Sequence, residues 1–327
     1  MLTEPPDPFH ERSSGMAGRS IHLLGSRVEF RSNSPKLLSL VDAAYQNLPR
    51  RRNSTLAPQM RITLWLSAAG GRAAGAREPP PLSTLSGAGL IGAAPESSSF
   101  VIVSPKERAA IVAVSSEMLR FPYHTRYELI EFAVSSLSVR VQRLVPLHAA
   151  CVGKRGRGIL LLGRTGAGKS TAALQCALAG FELLSEDAVF VAPATLRAMG
   201  VPNFLHLRAG SLQWVERPVA AMIRSSPVIR RRSGTEKFEV DLRQEPFRLA
   251  ARMKIVAVVF LTRRRAGRSL LRPLSNAQLL AGIADQQAWG AGAVEWRLFS
   301  KALRVPAFEL RRGRHPREAA DALGTLL

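Results

Sequence analysis

The stretch ILLLGRTGAGKSTAAL at residues 159–174 constrains this chain more than any other. An apolar run reads as a buried strand, GRTGAGKS matches G-x-x-x-x-G-K-[ST] at Gly163, Gly168, Lys169 and Ser170, and good helix formers follow. Each part has a physical task. The glycines let backbone N–H groups across Gly163, Arg164, Thr165, Gly166, Ala167 and Gly168 wrap a phosphate chain, and the helix N-terminus, with Thr171 in its first turn, adds partial positive charge. Lys169 is placed to reach the β- and γ-phosphates, and the Ser170 hydroxyl to bind Mg²⁺. A match arises by chance in roughly one chain in a few hundred; the strand before and helix after separate a phosphate loop from an empty glycine-rich turn. ATP with Mg²⁺ is therefore the expected ligand, and STAALQCALAG should continue as a helix that Gly180 stops.

At 327 residues the chain has room for two domains, and 46% hydrophobic with 21% charged residues is a globular composition. No apolar run approaches the roughly 18–20 residues that cross a bilayer, so no membrane partner is expected; IVAVVFL at 255–261 suits a buried strand. The opening MLTEPPDPFHERSS lacks the basic and apolar segments of a secretory signal. With only Cys151 and Cys176 and no CxxC spacing, a reduced, cytoplasmic setting is the simplest expectation.

The formal charge of +22 raises nucleic acid as a partner. Only seven of the 46 basic residues are lysines, however, and the arginines are spread along the chain. The few aromatics do not interleave with them as a base-stacking surface requires. This pattern argues against nucleic acid and leaves the charge to assist an anionic substrate or partner.

Texture divides the chain into a tail at 1–19, expected to be disordered, an α+β domain at 20–145 and a phosphate-loop domain at 146–327. In the α+β domain, IHLLGSRVEF reads as a hairpin turning at Gly25-Ser26, SPKLLSLVDAAYQNL as a helix capped by Ser34, and QMRITLWL as a strand. Residues 67–97, rich in Ala, Gly, Pro and Ser, are expected to form a mobile loop. FVIVS and AIVAVSS make another hairpin, and 125–144 has the spacing of an amphipathic helix. No chemical constellation appears in this half.

FELLSEDAVFV at 181–191 places Glu186 and Asp187 between two apolar β-like runs. Adjacent acids at a strand end can hold Mg²⁺ and take a proton from an attacking hydroxyl. An exposed acidic hairpin turn is the plain alternative. IVAVVFLTRRR has no terminal acid and so offers no competing metal site.

The segment LHAACVGKRGRGILLLGRTGAGKSTAALQCALAGFELLSEDAVFV resembles the catalytic core of the HPr kinase/phosphorylase family, over about 147–192. That family shows a histidine on the strand before the phosphate loop, then the loop, then G-x-x-L-x-x-[DE]-D. The resemblance implies an α/β fold, with a P-loop kinase core of the HPr kinase/PEP carboxykinase type and a mixed, largely antiparallel sheet, preceded by a smaller α+β domain. It implies Glu186 as base for an acceptor serine near His148, Asp187 on the metal, Lys169 on the phosphates, and a homo-oligomer. Divergent members act as stand-alone kinases, some on peptide serines. Glu186 stands where an aspartate is usual. His206, in NFLHLRAGSL, takes the place of a metal-binding glutamate, while Arg208 matches an arginine of that segment. The family's basic segment for acceptor binding has a faint echo in RRRAGRSLLRP, and the N-terminal half does not match its sensor domain.

Arg230, Arg231 and Arg232 either pair with an acidic substrate or transferred phosphate, or sit in a solvated charged loop. VPAFELRRG and HPREAADALGTLL read as a structural strand, turn and helix. The expected activity is transfer of the γ-phosphoryl group of ATP to a serine or other hydroxyl of a protein, peptide or small-molecule acceptor. The alternatives are a P-loop ATPase, for which an LSGGQ-type signature after the loop is missing, and a non-catalytic nucleotide-sensing module.

Overall fold

In the computed structural model the described residues are 15–49, 58–67, 78–96, 98–267, 269–286 and 292–327. Among them two compact units separate, 15–46 with 58–141 and 47–49 with 142–327.

The first unit is a sheet of β1 (Ala17–Leu23), β2 (Ser26–Ser32), β3 (Gln59–Ser67), β4 (Ser83–Gly87), β5 (Leu90–Glu96), β6 (Ser99–Ser104) and β7 (Ala109–Ser115), in the order β1-β2-β3-β7-β6-β5-β4. Leu24 and Gly25, both at positive φ, make the first hairpin turn, one residue earlier than expected. Helix α1 (Pro35–Tyr45) joins the parallel neighbours β2 and β3, and buries Leu37, Leu38 and Val41. The amphipathic segment starts as a π-helix, Thr125–Ile130, and continues as α2 (Glu131–Gln142).

Two expectations are corrected here. Of the tail at 1–19, residues 1–14 lie outside the described residues, but β1 already begins at Ala17. Of the loop at 67–97, residues 68–77 and 97 lie outside them, while β4 and β5 form an antiparallel hairpin turning at Ala88 and Gly89. Small residues satisfied a ladder there because the backbone pairing does not need large side chains, and positive φ at the turn suits Gly89.

The second unit contains β8 (Val145–Leu147), β9 (Ala150–Lys154), β10 (Arg157–Leu162), α3 (Lys169–Leu178), β11 (Glu182–Ser185), β12 (Val189–Ala192) and β13 (Arg197–Gly200). After β14 (Phe204–Leu207) come α4 (Arg217–Ser225), β15 (Val228–Arg230), β16 (Glu236–Asp241), β17 (Arg248–Leu249), β18 (Arg252–Arg265) and β19 (Leu271–Leu274). The chain closes with α5 (Asn276–Gln286), α6 (Ala293–Ala302), β20 (Ala307–Arg312) and α7 (Arg317–Gly324). The main sheet is mixed, in the order β17-β11-β9-β10-β18-β13-β12-β8, with β20 also paired to β18 and β19 beyond it. The strands β14-β16-β15 form a small separate sheet.

Strands β10, β18 and β20 run parallel side by side, and the first two are continuous apolar runs because both faces are covered. Leu161 and Val259 pack with Ala173 and Cys176 of α3 and with Leu323 of α7. On the other face Leu160, Leu162 and Val258 pack with Leu279 and Ile283 of α5 and Phe299 of α6. Gly180 stops α3 as expected: at positive φ it donates to the Ala177 carbonyl, and Phe181 N–H donates to Cys176. No helix among the described residues is long and apolar enough to cross a membrane.

Candidate active site

Strand β10 delivers the chain into the phosphate loop, and helix α3 leaves it from Gly168. Gly166 and Gly168 have φ of 78° and 103°, which favour glycine. Close approach matters as well. A side chain at Gly163 would stand 3.0 Å from the Leu261 carbonyl. The buried Lys169 ammonium folds back and donates to the Gly163 carbonyl at 2.6 Å. Burial lowers its pKa, and the neighbouring Asp187 and Glu186 carboxylates oppose that shift.

Glu186 and Asp187 follow β11 directly, but not in a hairpin. β11 lies between β9 and β17, whereas β12 lies between β8 and β13, so the acids sit where the chain crosses the sheet. The plain alternative of an acidic hairpin turn therefore does not apply. The Ser170 hydroxyl donates to Glu186 Oε1. Asp187 Oδ1 lies 3.2 Å from His148 Nδ1. The Glu186 side chain is 5% exposed, and those of Asp187 and His148 are 31% and 37% exposed. The resemblance set the first acid beside the histidine and the second on the metal. These contacts join the acids to the opposite partners, because the bend after β11 turns consecutive side chains in different directions.

The small sheet supplies a second layer. His206 and Glu239 are direct cross-strand partners on β14 and β16, so pairing register alone brings them together. The buried His206 ring reaches Glu239 through Nε2 at 3.1 Å and Glu186 through Nδ1 at 3.4 Å. Burial would lower the imidazole pKa, but the hydrogen bonds to Glu186 and Glu239 outweigh it and raise it. Lys237 lies two residues before Glu239; burial lowers its pKa, Glu186 and Asp187 oppose this, and Arg231 and Arg208 reinforce it. Electrostatically, then, Lys237 belongs to the surroundings of the acids, and Arg231 and Arg208 to those of Lys237. Arg230 and Arg232 are exposed, on β15 and in the turn after it.

Glu239 and Lys237 were missed as site residues. Their signal was the alternation in KFEVDLR, which puts Lys237, Glu239 and Asp241 on one face and Phe238 and Val240 on the other. Nothing local said that the polar face would be buried against Glu186. Elsewhere around the loop, Arg164 makes an exposed ion pair with Asp285 at 3.3 Å, a kind that contributes little. Thr171 shares a 3.1 Å hydrogen bond with Ser211, and the Thr165 carbonyl accepts one from Arg263 at 3.4 Å.

No protein-family model matches the sequence, and no characterised protein matches it in sequence. Among solved structures, the Hpr(Ser) kinase/phosphatase from Coxiella burnetii is similar over 55% of this chain and 95% of that chain, with 11% identity and a TM-score of 0.33. Likeness of that degree carries no functional weight, and the function has to be read from the residues themselves.

Proposed function

We propose that this chain is an ATP- and Mg²⁺-dependent phosphotransferase that delivers the γ-phosphoryl group to a hydroxyl. By the resemblance of residues 147–192, the acceptor is a serine of a protein or peptide. The observation that carries the proposal is the arrival of two side-chain pairs at one phosphate loop, Ser170 with Glu186 and His148 with Asp187.

The Ser170 hydroxyl and the Glu186 carboxylate are hard oxygen donors, and these fit Mg²⁺. Among the described residues no group of three or more His, Cys, Asp or Glu could hold an ion alone. Such a set suits an ion that completes its shell with phosphate oxygens and water. When bound, Mg²⁺ would supply neutralisation of charge on the β- and γ-phosphates.

The acids then divide the work. Asp187, the more exposed and paired with His148, serves as base, while the buried Glu186 serves the Ser170 side. This division reverses the one implied by the resemblance, and what supports it is each acid's partner and exposure. In the transfer step the acceptor oxygen bonds the γ-phosphorus and the bond from phosphorus to the β–γ bridging oxygen breaks. The acceptor proton passes to Asp187, and ADP leaves. Lys169 exchanges the Gly163 carbonyl for phosphate oxygens and faces the developing charge. Lys237, close enough to feel both acids, favours an acceptor with acidic groups near its hydroxyl.

Comparing Asp187→Asn with Glu186→Gln tests the division. Asp187→Asn should lose turnover while Mg²⁺·ATP still binds, and Glu186→Gln should raise the Mg²⁺ concentration needed for half-maximal activity. An Asp187→Asn protein with full turnover would refute the base assignment.

A further inference from the structure

We infer that the cavity beside the phosphate loop receives the nucleoside half of a purine nucleotide, with Trp214 as the surface against which the base packs. The inference rests on the proposed binding of ATP at the phosphate loop and adds to it the subsite that holds the base.

Strand β10 ends at Leu162, opposite Phe260, and leads to Gly163, while its parallel neighbours β18 and β20 run on past that point and carry Thr262 and Arg263, and Arg311 and Arg312, in their last residues. A crevice beyond the carboxyl ends of parallel strands is the general location for ligands in open α/β sheets. Here it is a cavity of about 410 Å³, inside the size range of small-molecule sites. Its lining includes Gly166, Gly168, Thr171 and Ala172, so it is continuous with the loop that would hold the phosphates. Glu186 and Asp187 do not line it. The phosphate chain therefore has an acidic end, where Ser170 meets Glu186, and another end that opens on this cavity. The acceptor must reach the acids, which leaves the cavity for the rest of the nucleotide.

The far wall has the chemistry of a base site. Trp214 and His315 meet edge to face, with centroids 5.2 Å apart and planes at 85°, and Pro316 and Ala319 add apolar surface. The Trp214 backbone and the His315 ring are each anchored. Gln175 of α3 donates to the Trp214 carbonyl at 2.9 Å, and the Thr171–Ser211 bond ties the same segment to that helix. His315 Nδ1 accepts from the Arg317 N–H at 3.0 Å, which fixes its ring at the start of α7. Arg263, Arg311 and Arg314 border the cavity. A guanidinium can stack on a base and also oppose phosphate charge. The indole face offers a two-ring base more overlap than a one-ring base.

Calorimetric titration with Mg²⁺·ATP and Mg²⁺·tripolyphosphate separates the two halves of the site. Trp214→Ala should weaken ATP at least about fivefold, the scale of base stacking, leave tripolyphosphate unchanged, and be rescued by Trp214→Phe. Ala319→Phe, which fills the cavity from α7, should weaken ATP in the same selective way. Unchanged ATP affinity in both Trp214→Ala and Ala319→Phe would overturn the inference, as would an equal loss of both ligands in each. If Lys169→Ala loses both ligands while Trp214→Ala and Ala319→Phe both keep ATP, only the nucleoside site falls. If the wild type binds neither ligand, the phosphate-loop reading falls and takes the nucleoside site with it.

Discussion

On one side of the phosphate loop, polar side chains touch in sequence from the Ser170 hydroxyl through Glu186 and His206 to Glu239. On the other side, Trp214, Pro316 and Ala319 offer area, and the charges are arginines at the border. The difference follows from what each side must do. Where charge moves during a reaction, groups must already be oriented, and burying them is tolerable only if each has a partner. Where a ligand is merely held, overlap and a few oriented contacts suffice. Removing a member of the first side leaves an uncompensated charge, whereas trimming the second loses contact area.

The largest effect should come from the junction of the two sides. Lys169→Ala should lower turnover by about 10²–10³-fold or more, the scale for losing a group that faces transition-state charge. Steady-state kinetics with saturating acceptor measures it. Asp187→Asn comes next, with turnover reduced about 10²–10⁴-fold, the range for general-base removal, and Mg²⁺·ATP affinity kept. Glu239→Gln tests whether the second layer matters. It should lower turnover or Mg²⁺ affinity about 10–100-fold, as outer partners of a metal site do, while tripolyphosphate binding in the absence of metal stays the same. An unchanged Glu239→Gln protein would mean that the polar side ends at Glu186.

The smallest effect concerns stability. His206 faces Glu186 and Glu239 with Arg231 nearby, and its pKa is raised in the fold. The folded protein therefore holds this proton more tightly than the unfolded chain. Its contribution is fully present below the unfolded value of about 6.5 and is lost as pH rises through the raised folded value. In chelator, the Tm difference between wild type and His206→Asn should shrink as pH rises across that window. A difference that grows with pH would contradict the assigned contacts.

What the sequence made legible follows the same division. The loop at 163–171 could be read directly, because three local signals agree: a buried strand, glycines and a helix start. Glu186, Asp187 and His148 could be nominated, yet their pairing could not, because it depends on the chain crossing between β11 and β12. Glu239 was hidden by strand register, which joins it to His206 across 33 residues of sequence. The turn around His315 read as structural, since its place beside Trp214 arises only when β20 lies parallel to β18. In the first unit, β4 and β5 were hidden by small residues that carry almost no hydrophobic alternation.

The most direct measurement is transfer of γ-labelled phosphate from ATP to acceptors in a lysate of the source cell, with wild-type protein and Lys169→Ala side by side. A labelled, alkali-sensitive phosphoserine product with the wild type alone is the predicted result, and it would deliver the acceptor for identification. Release of free phosphate without any labelled acceptor, lost in Lys169→Ala, would contradict the phosphotransferase account and leave an ATPase.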